Sequence, residues 1–191
     1  MDKRYNTLTM SEQLQLRKQA VDDVLAHPEW SLPQAVRHLK KTMRLTTAEM
    51  AKLTENSFRD VNIAFANELS LICDRLGINV WETIALANRH PRVNILQPGP
   101  GVGGHCIAVD PWFIVSSAPE TARLIRTARE VNDHKPHWVI ERVKAKAERF
   151  KRPVIVCMGL TFKANIDDMR ESPSLEIAQD LLAADIGIVK A

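Results

Sequence analysis

The feature of this sequence that most constrains its fold is a run without glycine or proline that ends only at Gly77. The run opens with the helix-start signal Thr46-Thr47-Ala48-Glu49, in which an acid follows a capping hydroxyl by three residues. Within it, apolar residues recur mostly at steps of three or four: Met50, Leu53, Val61, Phe65, Leu69, Ile72 and Leu76. This pattern predicts one amphipathic helix of about 45 Å, with Gly77 as its C-terminal stop.

Shorter patterns predict the remaining elements. In chain order these are helices near 10–26 and 32–43, a short helix over 79–88, a helix that begins after Ser117, breaks or restarts near Pro136 and ends near Phe150, a strand in VIVCMGL, a helix over 173–184 and the start of a second strand in IGIVK. The predicted fold class is therefore mainly α, with a long central helix, a small helical N-terminal head and a truncated α/β fragment at the C-terminal end.

Composition excludes several classes of protein. The chain has 191 residues, 45% of them hydrophobic and 26% charged, which is ordinary for one or two globular domains. No stretch approaches the roughly 18–20 consecutive apolar residues that cross a bilayer, and the N-terminus lacks the apolar centre of a signal peptide. We therefore expect a cytoplasmic protein without a membrane partner. Cys73, Cys106 and Cys157 lie far apart without C-x-x-C spacing, which predicts reduced thiols and no metal site.

One loop concentrates the candidate chemistry. In GPGVGGHCIAVDP, residues 99–111, four glycines precede Cys106, and Asp110 follows the cysteine by four positions. Glycines let backbone N–H groups approach a ligand closely, and a thiol at the end of such a loop is placed to act as a nucleophile. The alternative is a glycine-rich turn that packs a small buried thiol, and spacing alone does not decide between the two. The loop is not a dinucleotide-binding fingerprint, because no predicted strand precedes it.

Three separate motifs resemble one family, in that family's order. The loop resembles the active-site loop of nucleotide-sugar 6-dehydrogenases, the UDP-glucose/GDP-mannose dehydrogenase family, and with ANRHPRVNILQPG it is similar to the UDP-N-acetyl-D-mannosamine branch. AEMAKLTENSFRDVNIAFANEL, residues 48–69, resembles the start of the family's central helix. GLTFKANIDDMRESPSLEIA, residues 159–178, resembles the first strand, loop and helix of its C-terminal domain. The resemblance covers about residues 47–191 and implies NAD-dependent oxidation of UDP-N-acetyl-D-mannosamine to its uronate through a cysteine thioester.

The resemblance also implies roles for the matching residues. Cys106 would capture the aldehyde and carry the thioester, Lys52 and Asn56 would hold the reacting oxygen and a water, and Asp110 would support activation of that water. Lys52 and Asn56 lie one helical turn apart and so share a face of the helix. The implied ligand-contacting residues are Arg92, which can come from a partner subunit, Gly103, Gly104 and Lys163 for the UDP-sugar, and Arg170 for NAD. Outside the family, Lys52 and Asn56 are explained as solvated helix residues, and Arg170 as the surface partner of Glu171.

The family's NAD-binding domain has no counterpart in the predicted elements, because no strand–glycine–helix unit is predicted before residue 150. We therefore expect a truncated or chimeric relative that is inactive alone. The predicted divisions are a helical head over 1–46, a central helical domain over 47–150 that forms a homodimer through the long helix, and a nucleotide-sugar-binding α/β fragment over 151–191.

The head carries the alternative function. Residues 1–48 hold eight Lys or Arg against five Asp or Glu, whereas the rest of the chain holds eighteen of each. LPQAVRHLKKTMRLTTAEMAKLT resembles the first two helices of an Xre-type helix-turn-helix regulator, a class that includes antitoxins, and this implies a toxin or DNA as partner. Glu55 and Asn56 depart from that motif at its turn. The phosphate-contacting residues would be Arg37, Lys40, Lys41 and Arg44, for which a solvated helix face is an equal explanation.

Overall fold

A computed structural model describes residues 47–191 and, upstream of them, Asp23, residues 26–29, Ser31 and Gln34. Apart from those isolated positions, the helices predicted near 10–26 and 32–43 lie outside the described residues. The same holds for the four basic residues of the alternative function, Arg37, Lys40, Lys41 and Arg44.

The described chain folds into five helices and two short strands. They are α1 (Thr47–Leu76), α2 (Val80–Ala87), α3 (Asp110–Ser117), α4 (Arg123–Ala147), β1 (Val154–Val156), α5 (Pro173–Ala183) and β2 (Ile188–Lys190). Helix α1 confirms the predicted long helix, and Gly77 stops it with a φ of 68°. None of the helices in the described residues is long and apolar enough to cross a membrane.

Helix α1 runs without a break through Glu55 and Asn56. A helix-turn-helix motif needs a turn at these two residues before its recognition helix. The unbroken helix contradicts that turn, so the helix-turn-helix interpretation is wrong for this stretch of the chain. Both residues keep helical backbone geometry, and neither is a glycine, the residue that most readily lets the backbone turn.

The region between residues 110 and 147 differs from its prediction. Ser117 ends α3 instead of starting the next helix, and α4 begins later, at Arg123. The prediction missed α3 because Pro111 and Asp110 were assigned to the loop, although proline is well tolerated in the first turn of a helix. Pro136 lies inside α4 without ending it. It is buried, and a Cβ on Gly101 would lie 3.1 Å from its ring, so tight packing offsets the backbone hydrogen bond that proline removes.

The C-terminal segment forms a small βαβ unit. β1 and β2 pair in parallel, with Val154 opposite Ile188 and Val156 opposite Lys190. β1 is shorter than the predicted strand, and the chain leaves the sheet after Cys157, whose N–H still donates to the Lys190 carbonyl at 2.7 Å. The apolar core of this region lies between α4, α5 and the sheet: Ile140, Ile177 and Leu181 are buried, and Val139, Val143, Ile155, Ile186 and Val189 pack against them.

Helix α1 presents a largely polar face to α3 and α4. Its buried residues are Leu53, Asn56, Ser57, Asp60, Ala64, Ala66, Asn67, Ser70 and Cys73. Of the predicted apolar stripe only Leu53 is buried, whereas Met50, Phe65, Ile72 and Leu76 are exposed. The interface of α1 with the rest of the protein therefore depends on hydrogen bonds and an ion pair as well as on apolar contact.

Candidate active site

Two helices bring polar side chains together at the end of the cysteine loop. Lys52 and Asn56 lie one turn apart on α1, and Asp110 is the first residue of α3, directly after the glycine loop. Asn56 Nδ2 donates to Asp110 Oδ2 at 2.6 Å, and Lys52 Nζ lies 3.7 Å from the same oxygen. The structure therefore brings together three of the four residues to which the sequence assigned catalysis.

The carboxylate of Asp110 is shielded from solvent, whereas the Lys52 ammonium that pairs with it is exposed. The side chain of Asp110 is 10% exposed and that of Lys52 is 65% exposed. Asp110 also lies in the first turn of α3, where the helix dipole stabilises a negative charge. Asn56 and Lys52 both meet one carboxylate oxygen, Oδ2. No side chain of the described residues is seen to donate to Oδ1, and this oxygen could accept a hydrogen bond from the water that a general base must contact.

Cys106 lies one turn before Asp110, and its backbone carbonyl accepts the Asp110 N–H at 2.8 Å. The thiol of Cys106 is free and exposed, whereas Cys73 is buried and Cys157 is half-buried. The alternative in which Cys106 is a buried packing thiol is therefore wrong. Cys73 is therefore a core thiol, whereas Cys157 is only partly shielded from solvent.

The glycines of the loop make room for the C-terminal segment. A Cβ on Gly103 would lie 2.2 Å from the carbonyl oxygen of Glu171 and 2.7 Å from Cβ of Phe162. Gly104 is buried, has a φ of 85° and faces the Phe162 ring. The bare backbone is thus explained by close packing between the loop and residues 162–173, so contact of Gly103 and Gly104 with a UDP-sugar remains a prediction.

A chain of buried hydrogen bonds ties the loop to α1 and α4. Gly99 N–H donates to Asn67 Oδ1 at 2.8 Å, and Asn67 Nδ2 donates to Asn132 Oδ1 at 2.9 Å. Asn132 Nδ2 in turn donates to Asp60 Oδ1 at 2.8 Å, and Arg129 Nη1 donates to the same oxygen at 2.7 Å. The start of the loop is therefore held by side chains from both long helices.

Sequence reasoning missed this network. Its one available signal was the spacing of Asp60 and Asn67, polar residues two turns apart in a helix. Burial raises the pKa of Asp60, and Arg129 and Asn132 counteract that effect only in part. Asp60 Oδ2 and Arg129 Nε have no hydrogen-bond partner among the described residues. Asp60 and Arg129 thus form a buried ion pair within this network. A folded protein tolerates a buried charge only when an opposite charge pairs with it.

The other predicted residues lie apart from the Asn56–Asp110 pair. Among the described residues, neither Arg92, Lys163 nor Arg170 forms a hydrogen bond or ion pair with that group. Arg170 instead binds Asp168 through two contacts of 2.9 and 2.8 Å. These hydrogen bonds hold the pKa of the Asp168 carboxyl well below its usual range, and His105 contributes a smaller effect. The surface-pair alternative named Glu171 as the partner of Arg170. The partner is instead Asp168.

A cleft of about 550 Å³ separates the loop and α3 from the C-terminal segment. Its lining is mixed, with Trp112, Pro136 and Pro173 beside charged residues of α4 and α5. Cys106, Lys52 and Asn56 are not among the lining residues. The cleft therefore borders the cysteine loop at Val102, Ala108 and Val109 without being lined by the side chains of the Asn56–Asp110 pair.

The described residues do not fit an NAD site. Gly99, Gly101 and Gly104 share the spacing of the dinucleotide fingerprint, but in that fingerprint a strand leads into the glycines and a helix begins within them. Here residues 47–153 contain no strand, and α3 begins only at Asp110. The three glycines therefore have the spacing of the fingerprint but not the strand and helix with which it binds a dinucleotide.

Comparison with known protein families gives two matches in sequence. Residues 46–134 match the central domain of the UDP-glucose/GDP-mannose dehydrogenase family. Residues 156–190 match the UDP binding domain of the same family. The first match begins at the start of α1 and ends within α4, and the second begins at Val156, the last residue of β1.

Curated relatives are similar over the same region. NDP-N-acetyl-D-galactosaminuronic acid dehydrogenase of Ralstonia nicotianae is 76% identical over 143 residues, which are 75% of this chain and 34% of that protein. UDP-N-acetyl-D-mannosamine dehydrogenase of Escherichia coli is 73% identical over 141 residues, 70% of this chain and 34% of that protein. The chain thus spans about a third of the length of these relatives.

Solved structures give the same result. UDP-N-acetyl-mannosamine dehydrogenase from S. aureus superimposes with a TM-score of 0.69 at 52% identity, over 75% of this chain and 34% of that one. The UDP-D-ManNAc dehydrogenase from Pyrococcus horikoshii gives a TM-score of 0.66 at 40% identity, over 80% of this chain and 39% of that one.

Proposed function

The chain belongs over residues 46–134 and 156–190 to the UDP-glucose/GDP-mannose dehydrogenase family, and we propose that it supplies the cysteine-loop half of a nucleotide-sugar 6-dehydrogenase. The observation that supports this most directly is the convergence of Lys52 and Asn56 on the Asp110 carboxylate, one turn after the exposed Cys106 thiol. The proposed substrate is a UDP-N-acetylhexosamine, with UDP-N-acetyl-D-mannosamine first.

The chemistry assigned to these residues is thiol capture and hydrolysis. The Cys106 thiolate adds to the aldehyde carbon of the sugar, and the resulting alkoxide is stabilised by the Lys52 ammonium. Once the adduct has been oxidised to a thioester, Asp110 takes a proton from a water that Asn56 helps to hold, and hydrolysis frees the uronate and the thiol. NAD, held outside the described residues, would accept the hydride in the oxidations.

The 191-residue polypeptide alone is expected to form no NADH from UDP-N-acetyl-D-mannosamine. Hydride transfer requires the nicotinamide within about 3–3.5 Å of the reacting carbon, and the described residues do not fit a site that would hold it there. Cysteine-dependent NADH production by the purified polypeptide would contradict this expectation.

A replacement experiment tests the site itself. The 141 residues of the E. coli relative that match this chain are exchanged for the residues found here, and NADH formation is measured with UDP-N-acetyl-D-mannosamine and UDP-N-acetyl-D-galactosamine. We expect the hybrid to be active, with Cys106→Ser and Lys52→Met each lowering kcat by at least about a hundredfold.

The matched control is Cys73→Ser, which removes a buried thiol on α1 and should leave kcat within a few-fold. Circular dichroism shows whether each hybrid is folded, and the rate of Cys106 alkylation is a second readout for the variants that keep this cysteine. A folded hybrid that is inactive, or one that keeps its activity after Cys106→Ser, would overturn the proposal.

A further inference from the structure

Helices α4 and α5 bring three potential metal ligands together at the surface. His137 lies on α4, and Glu176 and Asp180 lie one turn apart on α5. One imidazole nitrogen and one oxygen from each carboxylate all lie within 4.8 Å of one another. All three side chains are exposed, so an ion reaches them directly from solvent.

We propose that His137, Glu176 and Asp180 form a binding site for a divalent transition-metal ion, with Zn²⁺ as the preferred ion. Imidazole and carboxylate ligands together suit Zn²⁺, which takes three protein ligands and leaves a fourth position to water. Tetrahedral Zn²⁺ with bonds of about 2.0–2.1 Å places its ligands about 3.4 Å apart. The ligand atoms here lie within 4.8 Å of one another, and the side chains are exposed and can change rotamer to approach an ion.

The backbone positions of the three ligands are fixed by packing. Ile140, one turn after His137 on α4, is buried against Ile177 and Leu181 of α5. These apolar contacts hold the two helices together beside the ligands, so metal binding requires no ordering of backbone. A site whose scaffold is already ordered avoids much of the entropic cost of binding.

The charges around the ligands favour a cation. The carboxylates of Asp180, Asp133 and Glu171 all lie close enough to Glu176 to repel its negative charge. A bound divalent ion reduces the repulsion among these carboxylates. His137 and Glu176 also line the 550 Å³ cleft, so the ion would sit at the edge of that cleft.

The sequence alone gives no sign of this site. His137 and Glu176 are far apart in the chain, and none of the spacings that identify metal sites in a sequence joins them. The prediction of no metal site rested on the spacing of the three cysteines. Only the packing of α5 on α4 makes the three ligands neighbours.

The test uses the full chain after removal of metals with a chelator, in a Cys106→Ser background because an exposed thiol also binds Zn²⁺. Zn²⁺ binding is measured by titration calorimetry, and Co²⁺ is used as a spectroscopic probe of tetrahedral coordination. We expect one equivalent of Zn²⁺ to bind, with His137→Ala and Glu176→Gln each weakening the affinity at least tenfold. Ca²⁺, which prefers six to eight oxygen ligands, should not compete.

The matched control is His134→Ala, since His134 is an exposed histidine on the same helix with its ring centroid 6.2 Å from that of His137. This variant should bind Zn²⁺ within twofold of the parent. Circular dichroism confirms that the surface variants remain folded. The proposal is overturned if Zn²⁺ binds as well after His137→Ala, if Ca²⁺ saturates the protein in the same range, or if no Zn²⁺ binds in the Cys106→Ser background.

Discussion

The guanidinium of Arg129 shows how single residues stabilise this fold. It is 2% exposed and donates to Asp60, which is completely buried, and to Asp133 at the surface. Its partner Asp60 also accepts from Asn132, which holds Asn67 and through it the start of the glycine loop. Loss of the arginine would leave the buried carboxylate without its cation.

Replacement of Arg129 by methionine is therefore expected to lower the free energy of unfolding by about 3–5 kcal/mol at pH 7. Burial raises the pKa of Asp60 above its value in the unfolded chain, and loss of Arg129 raises it further. The folded protein then binds more protons than the unfolded chain above the unfolded pKa of about 3.9, so its stability falls as pH rises through that window. Urea denaturation should accordingly give a smaller loss at pH 4.5 than at pH 7.

Arg123→Met is the control for this change, because Arg123 is an exposed arginine at the start of the same helix. Its effect should stay within about 0.5 kcal/mol at either pH. An equal loss of stability for the two variants, or a loss for Arg129→Met that does not change with pH, would contradict the role assigned to the Asp60 pair.

At the scale of elements, the cysteine loop is positioned by the segment that joins β1 to α5. Phe162, Glu171 and Pro173 lie against the glycines, and Ser172 Oγ donates to the carbonyl of Leu160 at 2.7 Å while capping α5. The loop is thus fixed from two sides, by Asn67 at its start and by this segment at Gly103. Changes in the C-terminal segment should therefore reach Cys106.

Gly103→Ala is expected to displace this segment, because the added Cβ would lie 2.2 Å from the backbone oxygen of Glu171. Such overpacking costs about 1–3 kcal/mol of the free energy of unfolding. The rate at which Cys106 is alkylated should change as well. Both quantities are measured beside Gly99→Ala, whose Cβ would meet nothing closer than 3.9 Å, and a Gly103→Ala variant indistinguishable from this control would show that the contact is unimportant.

At the scale of the whole molecule, α1 carries a row of apolar side chains that the described residues leave exposed. Phe58, Phe65 and Ile72 are 68%, 57% and 48% exposed and lie seven residues apart, so they share one face of the helix. Leu76 extends this face toward Gly77. Contiguous apolar surface of this kind is typical of an interface, and we propose that a second copy of the chain covers it.

The double variant Phe58→Glu and Phe65→Glu should therefore shift the protein from dimer to monomer. Charged residues at the centre of an isologous interface face their own copies, and the repulsion and desolvation oppose association. Sedimentation velocity at tens of micromolar measures the change. Met158→Glu is the control, since Met158 is 97% exposed outside α1. A parent chain that is folded and strictly monomeric at this concentration would contradict the proposal.

The sequence by itself determined the elements whose hydrogen bonds are local. The bounds of α1 followed from one run without glycine or proline, and α5 followed from its own local pattern. The β-branched residues predicted both strands as segments, whereas their pairing joins Val154 to the distant Ile188 and depends on the tertiary structure. The motifs around Lys52 and Cys106 also indicated the family, because each of them is a continuous stretch of the chain. Helix bonds join residues four apart, so a short window of sequence contains the information that they need.

Tertiary structure alone decided which faces are buried. Phe65 and Ile72 of α1 are exposed, whereas Asp60 and Asn67 are buried. The two polar residues point inward because α4 supplies Arg129 and Asn132 as their partners, about seventy positions away in the chain. The same holds for Gly103, whose neighbours come from beyond residue 160. A buried polar group is stable only when its partners are in place, and no local pattern in a sequence shows which distant residue will supply them.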